Sequence, residues 1–329
     1  MLIVDAHTHI FRDRNHGQEA YSYFLMRSPL TSHDSQAMSF GVVEEILQLQ
    51  KRHNIVHSNF LNFTWSGKYL RDGMYLLADS GAARQEGYKN LVETILSRII
   101  DNNEWALQTV DNHKSLSFFC GVDPVVMDQK QLIEEVENKT RRGALGVKIV
   151  PFDLQVGADD VRFWPLYDYC QNHSIAIWAE TSFRDGGFGH PSRFIKVLEA
   201  FPNLFIIFSH MGYSPAIGEG SDAIVVELAN NYSGVYADVS LRLDQVCSGA
   251  ASLDQMAEQI RRVGIDRVMY GSNYPLLELT NPDLNNKLVP QQTRTDASLE
   301  VLLSLPLKSD ELEKLAAGNF LELTGLDIK

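Results

Sequence analysis

Three short apolar segments set the pattern of this sequence: ALGVKIV (144–150), IAIWAET (175–181) and LFIIFSH (204–210). Continuous apolar runs of this length, rich in β-branched and aromatic residues, predict buried strands. The segments between them, Asp160–Asn172 and Ser192–Ala200, have helical periodicity. Buried strands that alternate with helices in this way indicate parallel βα units.

The same alternation continues on both sides of these segments, and it predicts eight strands in all. The other five strands begin at Met1 and at Ile55, Leu116, Val235 and Arg267. From the fourth strand onward the spacing is roughly thirty residues, which is the length of a βα repeat. Eight such units predict an α/β fold of the (β/α)8 TIM-barrel type. An open, doubly wound sheet is the alternative, although no glycine-rich dinucleotide motif follows the first strand.

Further helices are predicted between these strands and after the last one: Val42–Lys51, Ala83–Asn102, Gln131–Lys139, Asp222–Asn230, Leu253–Val263, Ala297–Leu303 and Ser309–Ala317, with a short turn over Asn319–Leu323. Two stretches without a clear period follow strands one and two, at Phe11–Ser39 and Asn62–Gly81. We interpret them as insertions into a single domain that spans residues 1–329. Long insertions of this kind either cover a functional site or decorate the surface.

Composition excludes several classes of protein. The 329 residues are 44% hydrophobic and carry a formal net charge of −13, so a nucleic-acid or anionic-membrane surface is not expected. The three cysteines share no close spacing, which argues against a disulfide framework or a cysteine-based zinc site. The N-terminus lacks the pattern of a secretory signal, and no long apolar run predicts a membrane span. We expect a soluble cytoplasmic protein that acts on a small molecule.

The first predicted strand ends in Val4-Asp5-Ala6-His7-Thr8-His9. Residues two apart on a strand project to the same side, so the imidazoles of His7 and His9 point into one space. Two neutral imidazoles placed together can bind one metal ion, while the alternative is a solvated pair at a strand end.

Polar residues also end the later strands. Since chemistry in a (β/α)8 barrel takes place at the carboxyl ends of the strands, these side chains are expected to converge on one cavity. They are Lys148, Glu180, Thr181, Ser209, His210, Asp238, Ser240, Ser272 and Asn273.

Several of these residues lie in motifs that resemble the amidohydrolase superfamily. The motifs are Asp5-Ala6-His7-Thr8-His9, Gly146-Val147-Lys148, Ser209-His210-Met211-Gly212, Gly271-Ser272-Asn273-Tyr274-Pro275 and Gly318-Asn319-Phe320-Leu321-Glu322-Leu323. Their order is similar to that of the branch of metal-dependent TIM-barrel hydrolases and decarboxylases that includes aminocarboxymuconate semialdehyde decarboxylase. The resemblance implies that His7 and His9 are metal ligands and that His210 is the catalytic histidine.

The chain departs from the pattern of that family at two positions. Glu180 stands where the family usually has a metal-binding histidine at the end of strand five, and Asn273 stands where it usually has an aspartate. A carboxylate can replace imidazole as a ligand, so Glu180 is expected to be the third ligand. Asn273 can offer a carbonyl oxygen but cannot act as a general base, so we place it at the margin of the catalytic site.

We therefore expect one divalent metal, zinc or alternatively manganese, and His210 as the catalytic acid or base. The expected reaction is hydrolysis of a small carboxylated or cyclic compound, such as an amide, lactone or ester. Metal-dependent decarboxylation of an aromatic or unsaturated acid is the alternative, and an inactive ligand-binding relative is a third. Lys148, Arg184 and Arg242 follow strand ends, where a cation would bind an anionic substrate. The resemblance also implies a homodimer.

Overall fold

The computed structural model describes residues 1–27, 39–181, 187–276, 278 and 293–328. Its centre is one parallel sheet whose eight strands are hydrogen-bonded in the order of the sequence. The strands are β1 (Ile3–Thr8), β2 (Ile55–Leu61), β3 (Leu116–Gly121), β4 (Gly146–Ile149), β5 (Ala176–Ala179), β6 (Ile206–Phe208), β7 (Val235–Asp238) and β8 (Val268–Met269).

The last strand returns to the first. The Ala6 amide donates to the Tyr270 carbonyl over 3.0 Å, and Thr8 forms a parallel bridge with Tyr274. The sheet is therefore a nearly closed barrel, which confirms the predicted (β/α)8 fold and excludes the open doubly wound sheet.

The helices that surround this barrel are α1 (Arg14–Arg27), α2 (Val43–His53), α3 (Ser66–Met74), α4 (Gly81–Asn112), α5 (Gln129–Arg141), α6 (Pro151–Leu154), α7 (Trp164–His173), α8 (Arg193–Ala200), α9 (Ser221–Asn231), α10 (Arg242–Cys247), α11 (Leu253–Val263), α12 (Arg294–Ser304), α13 (Ser309–Glu313) and α14 (Asn319–Thr324). Single turns of 3₁₀ helix lie at Val161–Phe163 and Ser209–Gly212, and a π turn lies at Lys314–Gly318. None of the helices in the described ranges combines the length and the apolar character that a bilayer span requires.

The strands are buried because both faces of the sheet are covered. The outward-facing side chains pack with the helices in the larger core cluster, which includes Phe118 and Phe208. The inward-facing side chains form a smaller cluster that fills the barrel, with Phe119, Trp178 and Ile207 among its members. This double coverage explains why the strands are continuously apolar in the sequence.

Both insertions contain helices that the sequence did not predict, namely α1 and α3. Helix α1 buries the small residues Gly17 and Ala20, and its first seven residues include no large apolar side chain. Helix α4 is longer than predicted at both ends, and the expected turn over Asn319–Leu323 is part of helix α14. These errors concern boundaries and short elements, and the order of strands and helices in the barrel is as predicted.

Candidate active site at the carboxyl ends of the strands

Strand β1 places two histidines side by side at the carboxyl end of the barrel. His7 is fully buried and His9 is 3% exposed, and their Nε2 atoms lie 3.2 Å apart. Gly271 allows this position, because a Cβ atom there would lie 2.5 Å from the Cβ of His7. The two imidazoles therefore point into one space, as the alternation along a strand predicts.

The other ring nitrogen of each histidine has a fixed partner. Nδ1 of His7 lies 2.9 Å from Oδ2 of Asp238, and Nδ1 of His9 lies 3.1 Å from the carbonyl oxygen of Leu61. When each Nδ1–H donates to these acceptors, each Nε2 keeps a lone pair directed at the other. Burial lowers the pKa of His7 and, more strongly, that of His9, so both rings are neutral.

Asn273 contributes an amide oxygen to the same space. Its Oδ1 lies 3.2 Å from Nε2 of His9, and its backbone amide donates to the carbonyl of His7 over 2.8 Å. The backbone of Asn273 is left-handed, with φ of 57°, a conformation that asparagine tolerates better than most residues.

A second group consists of Lys148, Glu180 and His210. Nζ of Lys148 lies 2.9 Å from one carboxylate oxygen of Glu180, and Nε2 of His210 lies 3.2 Å from the other. Burial alone would raise the pKa of Glu180, but Lys148 and His210 outweigh it and hold the pKa well below its usual range. Glu180 is therefore ionised, and its side chain remains 23% exposed.

His210 connects this group to the histidine pair. Its ring stacks on that of His7 with the centroids 5.1 Å apart. Its Nδ1 lies 3.0 Å from the carbonyl oxygen of Ser240, and its backbone is left-handed, with φ of 58°. A non-glycine residue in this conformation is strained, and such strain is common where a side chain must be held at a functional site.

Asp238 is the residue whose role the sequence did not reveal. Besides His7, it accepts hydrogen bonds from the Trp178 indole at 3.0 Å and from the backbone amides of His210 at 3.1 Å and Ser240 at 2.9 Å. The neighbouring rings of His7 and His210 and the Ser240 hydroxyl hold the pKa of the Asp238 carboxyl well below its usual range despite burial. The feature of the sequence that pointed to Asp238 was its position at the end of strand seven.

Asp238 could alternatively be a metal ligand itself. His7, His210 and Asp238 offer potential ligand atoms within 4.8 Å of one another. However, both oxygens of Asp238 already accept hydrogen bonds, and one of them orients His7. A carboxylate in this position orients a metal-binding histidine, so we assign Asp238 to the support of the site.

The predicted substrate-binding cations have different surroundings. Lys148 lies within the site, and its Nζ is 3.2 Å from the Ser209 hydroxyl as well as being paired with Glu180. Arg242 is fully buried, where it pairs with Asp222 and donates to the Ser214 carbonyl over 2.6 Å. Its role toward a substrate stays a prediction, and Arg184 lies outside the described residues.

The residues present fit a divalent metal. Two unprotonated Nε2 atoms at 3.2 Å repel each other unless a cation lies between them. The separation is close to the roughly 3.4 Å expected for two nitrogens that bind one zinc ion tetrahedrally. The oxygen of Asn273 is a further donor beside His9. Among the described residues, by contrast, Glu180 does not bring a carboxylate oxygen within 4.8 Å of both Nε2 atoms, and its oxygens contact Lys148 and His210 instead.

Comparison with known proteins gives the same picture of the fold. Among proteins of curated function, none has a significantly similar sequence. A probable 2-pyrone-4,6-dicarboxylic acid hydrolase from Acinetobacter baumannii is 13% identical, with a TM-score of 0.60 over 99% of this chain and 100% of that one. An amidohydrolase from Burkholderia multivorans with bound zinc is 13% identical, with a TM-score of 0.61 over 99% and 100%.

A 5-carboxyvanillate decarboxylase from Novosphingobium aromaticivorans, in complex with manganese and a nitrobenzoic acid, is 12% identical, with a TM-score of 0.63 over 99% and 96%. At such identities these likenesses concern the fold, and the proteins include both a hydrolase and a decarboxylase. Residues 4–323 match the sequence pattern of the Amidohydrolase family. The chain therefore belongs to the amidohydrolase family, as its strand-end motifs imply.

Proposed function

We propose that the protein is a metal-dependent hydrolase that acts on a small carboxylated or cyclic compound. The observation that carries this proposal is the pair of Nε2 atoms of His7 and His9, with the Nε2 of His210 on an adjacent stacked ring. We assign His7, His9 and Glu180 as the residues that hold the metal, with zinc favoured by the two imidazoles and manganese as the alternative. Asn273 lies at the margin of this set.

A divalent ion held there supplies Lewis acidity, since it lowers the pKa of water and polarises a carbonyl group. His210 moves the proton in this proposal. With Nδ1–H donating to the Ser240 carbonyl, Nε2 is free to accept a proton from water and later to give it to the leaving group. Glu180, at 3.2 Å from that nitrogen, stabilises the imidazolium that forms.

Decarboxylation is a second candidate, because Asn273 occupies the place of a potential base and cannot accept a proton. The ammonium of Lys148 can attract a substrate carboxylate, and loss of CO2 requires an acid rather than a base. In this mechanism protonated His210 donates from Nε2 to the carbanion that remains. Nε2 lies 3.2 Å from the Glu180 carboxylate, which can accept a hydrogen bond from that proton.

Product analysis with the zinc-loaded and manganese-loaded protein distinguishes these reactions. We expect that lactones, amides or esters of small carboxylic acids are opened without release of CO2. Release of CO2 from aromatic or unsaturated acids supports the second candidate instead. Ligand binding without turnover of any of these compounds contradicts both and identifies an inactive relative.

The variant His210→Ala tests the assigned acid or base. We expect a loss of activity of about 100-fold or more, with the metal content unchanged. The control is His173→Ala, since His173 is exposed on helix α7 and its ring contacts the Tyr169 carbonyl within that helix. Loss of metal from the His210 variant contradicts the assignment and makes His210 a ligand.

A further inference from the structure

We infer that Asp123 is a specificity-determining residue that accepts a hydrogen bond from a hydroxyl or amino substituent of the substrate. Asp123 follows strand β3, on the same rim of the barrel as the site and next to the strand that carries Lys148. The inference deepens the proposed function, on which it rests, because it narrows the class of substrate.

A small cavity connects Asp123 to the candidate active site. Its lining includes Phe63, Val122, Asp123 and Lys148, and its volume of about 10 Å³ has room for about one water molecule. The ring of Phe63 lies edge-to-face on that of His9, with the centroids 5.4 Å apart. The cavity therefore lies one ring away from His9, within reach of a substituent of a substrate bound at the histidine pair.

The carboxylate of Asp123 has one oxygen available for this cavity. Asp123 is 2% exposed, and its Oδ1 accepts the Val125 amide over 2.7 Å. Its Oδ2 is buried and accepts no hydrogen bond of good geometry among the residues that the structure describes, although the Ser66 hydroxyl lies close enough to lower the pKa of the carboxyl. A buried carboxylate oxygen without a partner is costly for the fold, so a ligand that donates to it is favoured. Its pKa is raised to about 6, mainly by burial, so the group is mostly ionised at neutral pH.

The charges around the cavity favour a substrate group that donates a hydrogen bond over a substrate carboxylate, because Asp123 is itself an anion. Lys148 lines the cavity, but its ammonium already binds the ionised Glu180 at 2.9 Å. The ionised Asp123 therefore repels a substrate carboxylate at this place, while a hydroxyl or amino group donates to it. The volume of the cavity also favours a hydroxyl or amino group, because one oxygen or nitrogen atom fits the space of a water molecule whereas a carboxylate is larger.

Asp123 also stabilises the turn after β3, so a variant that tests recognition has to preserve this turn. Its Oδ1 and its backbone carbonyl accept hydrogen bonds that form the turn after β3. In Asp123→Asn the side-chain oxygen can still accept from Val125, while the amide NH2 replaces Oδ2 and cannot accept. This substitution thus preserves the turn and removes the proposed recognition.

The test measures the binding of benzoate, of its 2-, 3- and 4-hydroxy derivatives and of isophthalate to the zinc-loaded protein, by titration calorimetry at pH 7.5. We expect one hydroxybenzoate to bind about 10- to 100-fold more tightly than benzoate, as a hydrogen bond to a charged group provides, and isophthalate to bind more weakly than that isomer. Asp123→Asn should abolish this preference. The control Asp128→Asn should keep it, because Asp128 caps helix α5 and asparagine caps equally well.

Each of the other results overturns the inference. A preference that persists in Asp123→Asn, or binding of all five acids without a preference, overturns it and leaves the proposed function intact. Failure of the zinc-loaded protein to bind any of them overturns the inference, while turnover of lactones, amides or esters tests the proposed function separately. If Asp123→Asn does not fold, Asp123→Ser serves instead, since its hydroxyl can still accept from Val125.

Discussion

The two sides of the barrel rim are built differently. On the histidine side, formed by His7, His9, Asp238 and Asn273, each imidazole is buried and tied at Nδ1 to an acceptor on another strand or its end. On the charged side, formed by Asp123, Lys148 and Glu180, the groups are ionised. There Glu180 is partly exposed, and Asp123 retains an oxygen without a partner among the described residues.

We propose that this difference corresponds to two roles: the histidine side binds the metal, and the charged side recognises the substrate. Fixed Nδ1–H donors on neutral rings define one geometry of the histidine side, which supports our proposal that this side binds the metal ion. Charges that are incompletely paired are stabilised further when a ligand arrives, so the charged side contributes to the choice of substrate. Substitutions on the first side should therefore change metal content, and those on the second should change ligand preference or stability.

The largest effect is expected from the double variant His7→Ala, His9→Ala. Removal of both imidazoles should abolish metal binding and activity, because two of the three assigned ligands are lost. Elemental analysis of protein purified without chelator or affinity tag measures this effect. The control is the double variant His113→Ala, His173→Ala, which lies outside the site. Equal metal in both double variants is incompatible with a site on the histidine side.

Glu180→Gln asks whether Glu180 belongs to the histidine side as a ligand. The neutral amide is a weak ligand, so we expect metal content to fall sharply. Glu104→Gln is a matched control, because Glu104 also pairs with two cations, Lys139 and Arg142, at a distance from the site. If Glu180→Gln retains its full metal content, Glu180 belongs to the charged side alone.

Asp238→Asn tests the support of His7. An amide NH2 that faces Nδ1 favours the tautomer with the proton on Nε2, and this tautomer cannot bind a metal. We expect metal affinity to fall about 10- to 100-fold, measured by competition with a chromophoric chelator. Asp5→Asn is the control, since Asp5 is equally buried and accepts from the Ser272 amide at 2.8 Å. If Asp5→Asn lowers metal affinity more than Asp238→Asn does, Asp238 is not the residue that orients the metal-binding imidazole.

The smallest effect is a gain in stability in Asp123→Asn. Burial raises the pKa of Asp123 from 3.8 to about 6, so its ionisation opposes folding. The favourable contribution of the protonated group is complete below about pH 4 and is lost as the pH rises through about 6. At pH 7.5 the variant should therefore be more stable by about 1–3 kcal/mol, with little difference at pH 3.5. Denaturant unfolding at both pH values measures this, and a destabilised variant at pH 7.5 would mean that the charge serves the fold.

The N-terminal region shows where prediction from the sequence works and where it stops. The strand β1 and the histidine pair follow from a local alternation, and the tertiary structure preserves both. Helix α1 was missed because its first seven residues bury only small side chains and carry no large apolar residue by which a helix is recognised. Glu180 and Lys148 were both placed correctly at the rim, but their mutual ion pair depends on the register between β4 and β5.

The sequence by itself determined a parallel sheet covered on both faces, because continuous apolar strands at regular spacing can be buried in no other arrangement. The tertiary structure decided that this sheet closes into a barrel, through the contacts of β1 with Tyr270 and Tyr274. The sequence also determined which strand ends carry polar groups. The tertiary structure decided which of those groups meet. Asp238 orients His7 across 231 positions of the chain, Arg242 enters a buried pair with Asp222, and the Oδ2 of Asp123 accepts no hydrogen bond from the part of the chain that the structure describes. Hydrogen-bond partners across a barrel depend on strand register and closure, which no local pattern encodes.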